Sequence, residues 1–244
     1  MAAPYPAHMP ADLRDLLEND PRVASFDAPP AGHPYRKVLE AQAPTGPVDE
    51  RFAQLRLFHE DPFEDRKWIN RPAGFSSLDV GRGEGVARMG ENPVIEEYGP
   101  RPALRADIFH EGSWMVVSQA FEEIVRGFDA ASIESIPAEW RFQDGHHDGV
   151  RFLDVTRKVD AFDYRHSEVR LYIEHDRIGI RGLNFPRTLK PGIPADVHLF
   201  RDSWLRSEIL ISLELSRALV NAGMRGFEAV DLKTGRTIPL GYRH

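Results

Sequence analysis

The segment Trp114-Met115-Val116-Val117-Ser118-Gln119-Ala120-Phe121-Glu122-Glu123-Ile124-Val125 decides much of the fold, and Glu208-Ile209-Leu210-Ile211-Ser212-Leu213-Glu214-Leu215-Ser216-Arg217-Ala218-Leu219-Val220 repeats its pattern. Each segment is a short apolar run, then a serine, then a stretch with helical periodicity. Apolar residues then recur at helical spacing, which predicts one buried stripe per helix: Phe121, Ile124, Val125 and Phe128 in the first, and Leu215, Ala218, Leu219 and Ala222 in the second. Each serine stands where an N-cap accepts a hydrogen bond from a backbone N–H. We therefore predict two strand–serine–helix units, which are either an internal duplication or two uses of a common turn.

The composition is that of a soluble globular protein. The chain has 244 residues, of which 41% are hydrophobic and 28% charged. Its net charge of −7 disfavours free nucleic acid as a ligand. The absence of cysteine excludes disulfides, thiolate nucleophiles and cysteine-ligated metals. There is no apolar run of membrane-spanning length and no signal-peptide pattern at the N-terminus, so we expect a cytoplasmic protein without membrane contact.

The first fifty residues differ in composition from the rest of the chain. They are rich in Ala, Pro and Asp, and only 12–18 has the periodicity of a short helix, with Leu13, Leu16 and Leu17 on one face. Proline and glycine interrupt regular structure at 27–32 and again at 43–47. We predict that residues 1–50 form a Pro/Ala-rich arm that docks on the body or is partly disordered, and that residues 51–244 form one domain.

The C-terminal half is predicted to be rich in strands. Short strands are expected at 150–155, 169–174, 177–182, 197–201 and 226–232, with His175-Asp176 as a hairpin turn and Gly223 ending the second helix. The segment 137–149 reads as turn and loop. Together with the two helices, this pattern predicts an α+β fold in which a mainly antiparallel sheet is packed by a few helices.

Gly145-His146-His147-Asp148-Gly149 is the segment that looks most like a reactive site. Imidazoles and a carboxylate can bind zinc or move protons. Three consecutive side chains cannot easily converge from one extended segment, and the flanking glycines are typical of a surface turn. We interpret the segment as a turn and predict no catalytic residue, no cofactor and no metal. A metal-dependent enzyme that uses His146, His147 and Asp148 is the main alternative.

Other motifs also favour structural roles. The glycine-rich segment 81–85 departs from the known phosphate-loop spacings, and we interpret it as a flexible loop. Asp160 and Asp163 could be paired carboxylates of a glycosidase-like site, but a turn or cap is favoured. Arg201 and Asp202 could form an internal ion pair. The chain has no G-x-S-x-G motif, so a hydrolase serine has no local signature.

Acidic residues are grouped at several points along the chain. Such groups can raise the rate of association with a basic protein partner, although a solvated surface is the ordinary role of each one. They are our predicted partner-binding residues: Glu60, Asp61, Glu64, Asp65, Glu96, Glu97, Glu122, Glu123 and Asp129.

The order of several C-terminal segments resembles a bacterial immunity protein family that accompanies polymorphic toxins and was first catalogued as a domain of unknown function. The resemblance covers roughly residues 105–235, and nothing in the first hundred residues adds to it. The segments that carry it are 151–156, 159–163, 198–201, 209–212 with the helix that follows, and 222–228.

The resemblance implies a protein that is not an enzyme. Such a protein binds a cognate toxin, often one delivered by a secretion system, and neutralises it in the producing cell. It also implies that some of these toxins are nucleases, whose basic surface an acidic inhibitor would complement. Its expected partner is therefore a toxin protein rather than nucleic acid or membrane. An adaptor or chaperone that carries an effector without inhibiting it is a second alternative.

Overall fold

The computed structural model describes residues 5–6, 9–24, 35–57, 66–70, 83–86, 89–97, 106–111, 114–174 and 177–241. Its helices are α1 (Ala11–Asn19), α2 (Pro21–Ala24), α3 (Gln119–Asp129) and α4 (Leu213–Asn221), with a 3₁₀ turn at Ala130–Ser132. Its strands are β1 (Tyr35–Leu39), β2 (Phe52–Leu57), β3 (Arg66–Trp68), β4 (Val94–Glu97), β5 (Ile108–Glu111), β6 (Trp114–Ser118), β7 (Ile133–Phe142), β8 (Gly145–Val155), β9 (Lys158–Val159), β10 (Val169–Glu174), β11 (Arg177–Leu183), β12 (Leu199–Asp202), β13 (Ile209–Ser212) and β14 (Phe227–Val230). Among these residues, every helix is too short or too polar to span a lipid bilayer.

The strands form three sheets rather than the one predicted. The orders are β1-β10-β11, β14-β2-β13-β12-β9 and β3-β4-β7-β8-β6-β5. Neighbouring strands are antiparallel except for the parallel pairs β12–β9 and β4–β7. The predicted α+β class with mainly antiparallel pairing is therefore confirmed.

The five-stranded sheet is the middle layer of the molecule. Phe200 and Leu210 lie in an apolar cluster with α1 and the three-stranded sheet. Leu199 and Ile211 point to the opposite cluster, which includes α3, α4 and the six-stranded sheet. Strands β12 and β13 are buried at every position, and a sheet covered on both faces explains why their sequence reads as an apolar run.

Both predicted strand–serine–helix units are confirmed. Ser118 Oγ accepts the Phe121 N–H at 3.2 Å, and Ser212 Oγ accepts the Leu215 N–H at 3.1 Å. The helices bury their apolar stripes in one shared cluster that includes Phe121, Val125, Leu215 and Leu219. Ala222 is exposed, so the second stripe is one residue shorter than predicted. Gly223 has a φ of 78° and ends α4 in the left-handed conformation, as predicted.

The prediction that 137–149 is turn and loop is wrong, because this segment belongs to a long hairpin. β7 pairs with β8 from Ile133 opposite Val155 to Phe142 opposite Gly145. The turn is at residues 143–144, ahead of the two histidines. Pro137 misled the prediction. β4 begins to pair with β7 only at Glu139, so among the described strands β8 alone pairs with β7 at Pro137, where proline is tolerated.

The predicted helix at 12–18 is confirmed as α1, and its Leu13 and Leu16 are fully buried in the cluster shared with the middle sheet. β1 pairs with β10, so residues of the first fifty also extend a sheet. The division into an arm (1–50) and a domain (51–244) stays a prediction. Glu174 pairs with Arg177 across the predicted hairpin turn, whose residues His175 and Asp176 lie outside the described ones.

Candidate functional site

His146 and His147 lie in β8 and not in a turn, which corrects that prediction. They are consecutive strand residues and therefore point to opposite faces of the sheet. His147 Nδ1 accepts the Gly149 N–H at 2.9 Å. The side chain of Asp148 lies outside what the structure describes. In the described residues no group of three or more His, Asp or Glu side chains has the arrangement of a metal site.

Glu122 is nearly buried and is held inside the fold. Its carboxylate accepts hydrogen bonds from Arg126 Nε at 2.7 Å and from Ser135 Oγ at 2.5 Å. Arg151 forms a further ion pair with it. These contacts tie α3 to strands β7 and β8, so the charge of Glu122 is neutralised at a helix–sheet junction.

Asp129 is also buried, at the C-terminal end of α3. Its carboxylate accepts the His198 N–H at 3.0 Å and lies 3.3 Å from an Arg157 nitrogen. It therefore joins α3 to the start of β12. The spacing of acidic residues along the sequence gives no sign of this internal role.

The other predicted acidic residues are in different situations. Glu97 accepts a hydrogen bond from the Trp140 indole at 3.0 Å, whereas Glu96 is partly exposed on β4 opposite Arg141. Glu123 is exposed on α3 and accepts a bond from Gln119 at 2.8 Å. Glu60, Asp61, Glu64 and Asp65 lie outside the described residues. Glu96 and Glu123 are thus the more accessible of the described acidic residues, and partner binding stays a prediction for the whole set.

The glycine-rich segment forms a cradle for an internal carboxylate. The N–H groups of Gly83 and Gly85 donate to Asp154 at 3.2 and 2.9 Å, and Arg201 Nη2 lies 3.2 Å from the same side chain. Asp154 and Arg201 are both buried, and burial lowers the pKa of the Arg201 guanidinium while Asp154 acts in the opposite direction. Backbone N–H groups that could hold a phosphate hold the protein's own aspartate instead. Arg201 thus pairs with Asp154 and not with Asp202.

Asp202 and the two carboxylates proposed as a glycosidase pair have structural partners. Buried Asp202 accepts the Tyr164 hydroxyl at 2.9 Å, and burial raises the pKa of that phenol far above its usual range. Asp163 accepts the N–H groups of Arg165 and His166, which is the turn role favoured from sequence. Asp160 forms an ion pair with Lys190 at 2.8 Å.

A cleft of about 400 Å³ lies at the N-terminus of α4, lined in part by His198, Ser212 and Glu214. His198 Nδ1 is 2.9 Å from Ser212 Oγ and 4.0 Å from a Glu214 oxygen. In a catalytic triad the serine and the acid contact opposite nitrogens of the imidazole, but here both approach the same one. Ser212 Oγ is also occupied by the helix cap. We therefore interpret this cluster as a capped helix start.

The outer face of the three-stranded sheet is open to solvent and was missed by the sequence analysis. Along β10, Val169 and Leu171 are buried, whereas Arg170 and Tyr172 are exposed on the other face. Val38 of β1 lies opposite Arg170 of β10 and is 51% exposed, and Tyr172 is 38% exposed. The alternation from Val169 to Tyr172 was the available signal. We call Val38, Arg170, Tyr172 and Arg181 the basic sheet face.

A family model described as "Immunity protein family (Imm11)" matches residues 45–234. The resemblance inferred from the sequence is confirmed, and its extent is corrected: the match begins at residue 45 and covers most of the chain. No curated protein matches this sequence.

Proposed function

The chain belongs to the Imm11 immunity protein family, and we propose that it binds a cognate secreted bacterial toxin and neutralises it in the cytoplasm of the producing cell. The family match over residues 45–234 carries this proposal. We propose that the chain inhibits the toxin by binding alone and catalyses no reaction on it.

The internal ion pairs between helices and sheets support a binding role. Several carboxylates are held between elements, as Glu122 is between α3 and the β7–β8 hairpin. Such internal pairs fix the relative positions of helices and sheets. A surface that is already ordered before the partner arrives loses less conformational entropy on binding, which favours the tight association that toxin neutralisation needs.

Co-expression with the product of the adjacent gene tests the proposal. We expect the neighbouring product to be lethal alone and harmless when this chain is present, and we expect the two proteins to copurify. A neighbour that is harmless alone but copurifies would instead favour the adaptor or chaperone. A lethal neighbour that this chain neither binds nor suppresses would contradict the proposal.

The nuclease form of the hypothesis is supported by the net charge of −7, which would complement a toxin with a basic substrate-binding surface. It predicts that binding weakens as salt concentration rises, and that Glu96→Lys with Glu123→Lys weakens it further. The toxin-binding proposal itself does not depend on this form. An affinity that is independent of salt would remove the nuclease argument and leave toxin binding intact.

A metal-dependent reaction at His146 and His147 has its own test. Metal analysis of the purified protein, compared with a variant carrying both His146→Ala and His147→Ala, would favour that alternative if stoichiometric zinc were present and then lost. We expect the two proteins to be equal in metal content and in protection against the toxin.

A further inference from the structure

We propose that the basic sheet face is the surface on which the toxin docks, and that it receives an acidic surface of that toxin. This inference rests on the proposed toxin-binding function but not on the nuclease form of it. It places the contact on β1, β10 and β11 and away from the acidic residues singled out in the sequence.

The first argument is the exposure of large apolar side chains. Within the described part of the chain, the exposed large hydrophobic residues are Val38, Ile69 and Tyr172. Two of these three lie on the same face of the same sheet. Val38 is opposite Arg170 and Tyr172 is two residues farther along β10, so the two apolar groups are diagonal neighbours.

The second argument is charge. Arg170 and Arg181 are exposed, and within the described residues neither makes an ion pair, in contrast to Arg126, Arg151 and Arg157. Arg170 lies over Gly182, where a Cβ would be 2.6 Å from Arg170 Nη2. Arg181 is the extra residue at the irregularity beside it. In its described part, a protein of net charge −7 therefore presents two arginines without an ion pair next to exposed apolar groups.

Together these features indicate a partner of particular chemistry. Arginine and tyrosine are the residue types enriched where binding energy is concentrated, because each combines a large apolar surface with polar atoms. Guanidinium groups bind carboxylates in pairs of hydrogen bonds, so acidic side chains fit this face. A second copy of this chain fits poorly, because a two-fold interface would bring arginines against arginines.

Two double variants with equal charge change provide the test. Arg170→Glu with Arg181→Glu alters the basic sheet face, and Arg225→Glu with Arg236→Glu alters exposed arginines elsewhere. The probe is the protein encoded by the adjacent gene, once the co-expression test has shown it to be a toxin, purified with the wild-type chain and then separated from it. We expect the first variant to weaken binding by at least about tenfold and to lose protection in co-expression, and the second to change affinity by less than about threefold.

Tyr172→Ala is a further variant, one that leaves the charge unchanged, and we expect it also to weaken binding by about tenfold. Circular dichroism and urea unfolding of each variant separate loss of contact from loss of fold. If wild type binds the toxin and all three variants bind it equally well, the docking surface is elsewhere, although the proposed function stands.

Three further results would also overturn the inference. One is weakening by Glu96→Lys with Glu123→Lys while Arg170→Glu with Arg181→Glu binds as wild type, which would place the contact on the acidic residues. Another is binding of a short DNA or RNA duplex that the arginine variant abolishes. Failure of the wild-type chain to bind or suppress the toxin would remove both the inference and the proposed function.

Discussion

Asp154 and Arg201 show how strongly single residues constrain this fold. Asp154 is fully buried and accepts hydrogen bonds from Gly83, Gly85 and Arg201. Arg201 also donates to the Val155 carbonyl at 3.0 Å, which links the middle sheet to the six-stranded sheet. The Asp154–Arg201 ion pair therefore joins the middle sheet, the six-stranded sheet and the glycine-rich loop. Removal of either partner would leave the other buried and uncompensated.

We predict that Asp154→Ala lowers the free energy of unfolding by about 3–5 kcal/mol, because it leaves the buried Arg201 guanidinium without its counter-charge and two backbone N–H groups without their acceptor. Urea denaturation monitored by circular dichroism measures the change. Glu139→Ala is the matched control, since it breaks the more exposed Glu139–Arg141 ion pair and should alter stability by less than about 1 kcal/mol. Equal effects of the two substitutions would show that the buried pair has no special role.

Asp20 predicts part of the acid sensitivity of the protein. Hydrogen bonds from the Arg22 side chain lower the pKa of this carboxyl below its ordinary value, against the effect of burial. A lowered pKa in the folded state means that the contribution to stability is present above the unfolded value of about 4 and is lost as pH falls toward the folded value. We expect Asp20→Asn to reduce the loss of stability between about pH 4 and pH 2, measured by thermal unfolding. An unchanged pH profile would contradict this assignment.

The two strand–serine–helix units were predictable because their signals are local. The 3.6-residue period and the cap serine both lie within one segment, so no distant contact is needed to recognise them. The β7–β8 hairpin was missed for the opposite reason. Pro137 and the glycines at 145 and 149 are turn residues locally, and only the pairing of β7 with β8, the other strand of the hairpin, shows that they continue an extended chain.

Ser118 and Ser212 contribute to stability as the N-caps of α3 and α4. We expect Ser118→Ala and Ser212→Ala each to lower the free energy of unfolding by about 1 kcal/mol, because each leaves an N-terminal backbone N–H of a helix without its acceptor. Ser118→Thr and Ser212→Thr keep a hydroxyl and should recover most of the loss. Ser207→Ala, at an exposed serine outside the helices, is the control for serine removal. Equal stability of all the alanine variants in urea unfolding would contradict the capping role.

The candidate site was only partly accessible from sequence for a related reason. The resemblance to immunity proteins rests on the order of short segments and was visible in the chain itself. Which charged residues face solvent is a property of the assembled layers. Glu122 and Asp129 look like surface acids on a helix, yet β7, β8 and β12 supply their partners. Arg170 and Tyr172 look like ordinary strand residues until the inner face of their sheet is known.

In the molecule as a whole, helix α1 is part of the core. The family match begins at residue 45, yet α1 places Leu13 and Leu16 in the cluster that also contains Phe200 and Leu210 of the middle sheet. Arg165 and Lys190 pair with Asp15 and Asp12 on the same helix. The helix thus covers the face of the middle sheet that points away from α3 and α4. It lies on the inner side of the three-stranded sheet, away from that sheet's outer surface.

We therefore predict that Leu16→Ala lowers the free energy of unfolding of the full chain by about 2–5 kcal/mol, the usual effect of a cavity in a packed core. Glu18→Ala, at an exposed position on the same helix, is the matched control and should change stability by less than about 0.5 kcal/mol. A single unfolding transition that shifts as a whole would show that α1 and the sheets unfold together. If Leu16→Ala behaves like Glu18→Ala, α1 is a dispensable arm and the middle sheet is stable without it; in that case toxin binding should also survive removal of residues 1–24.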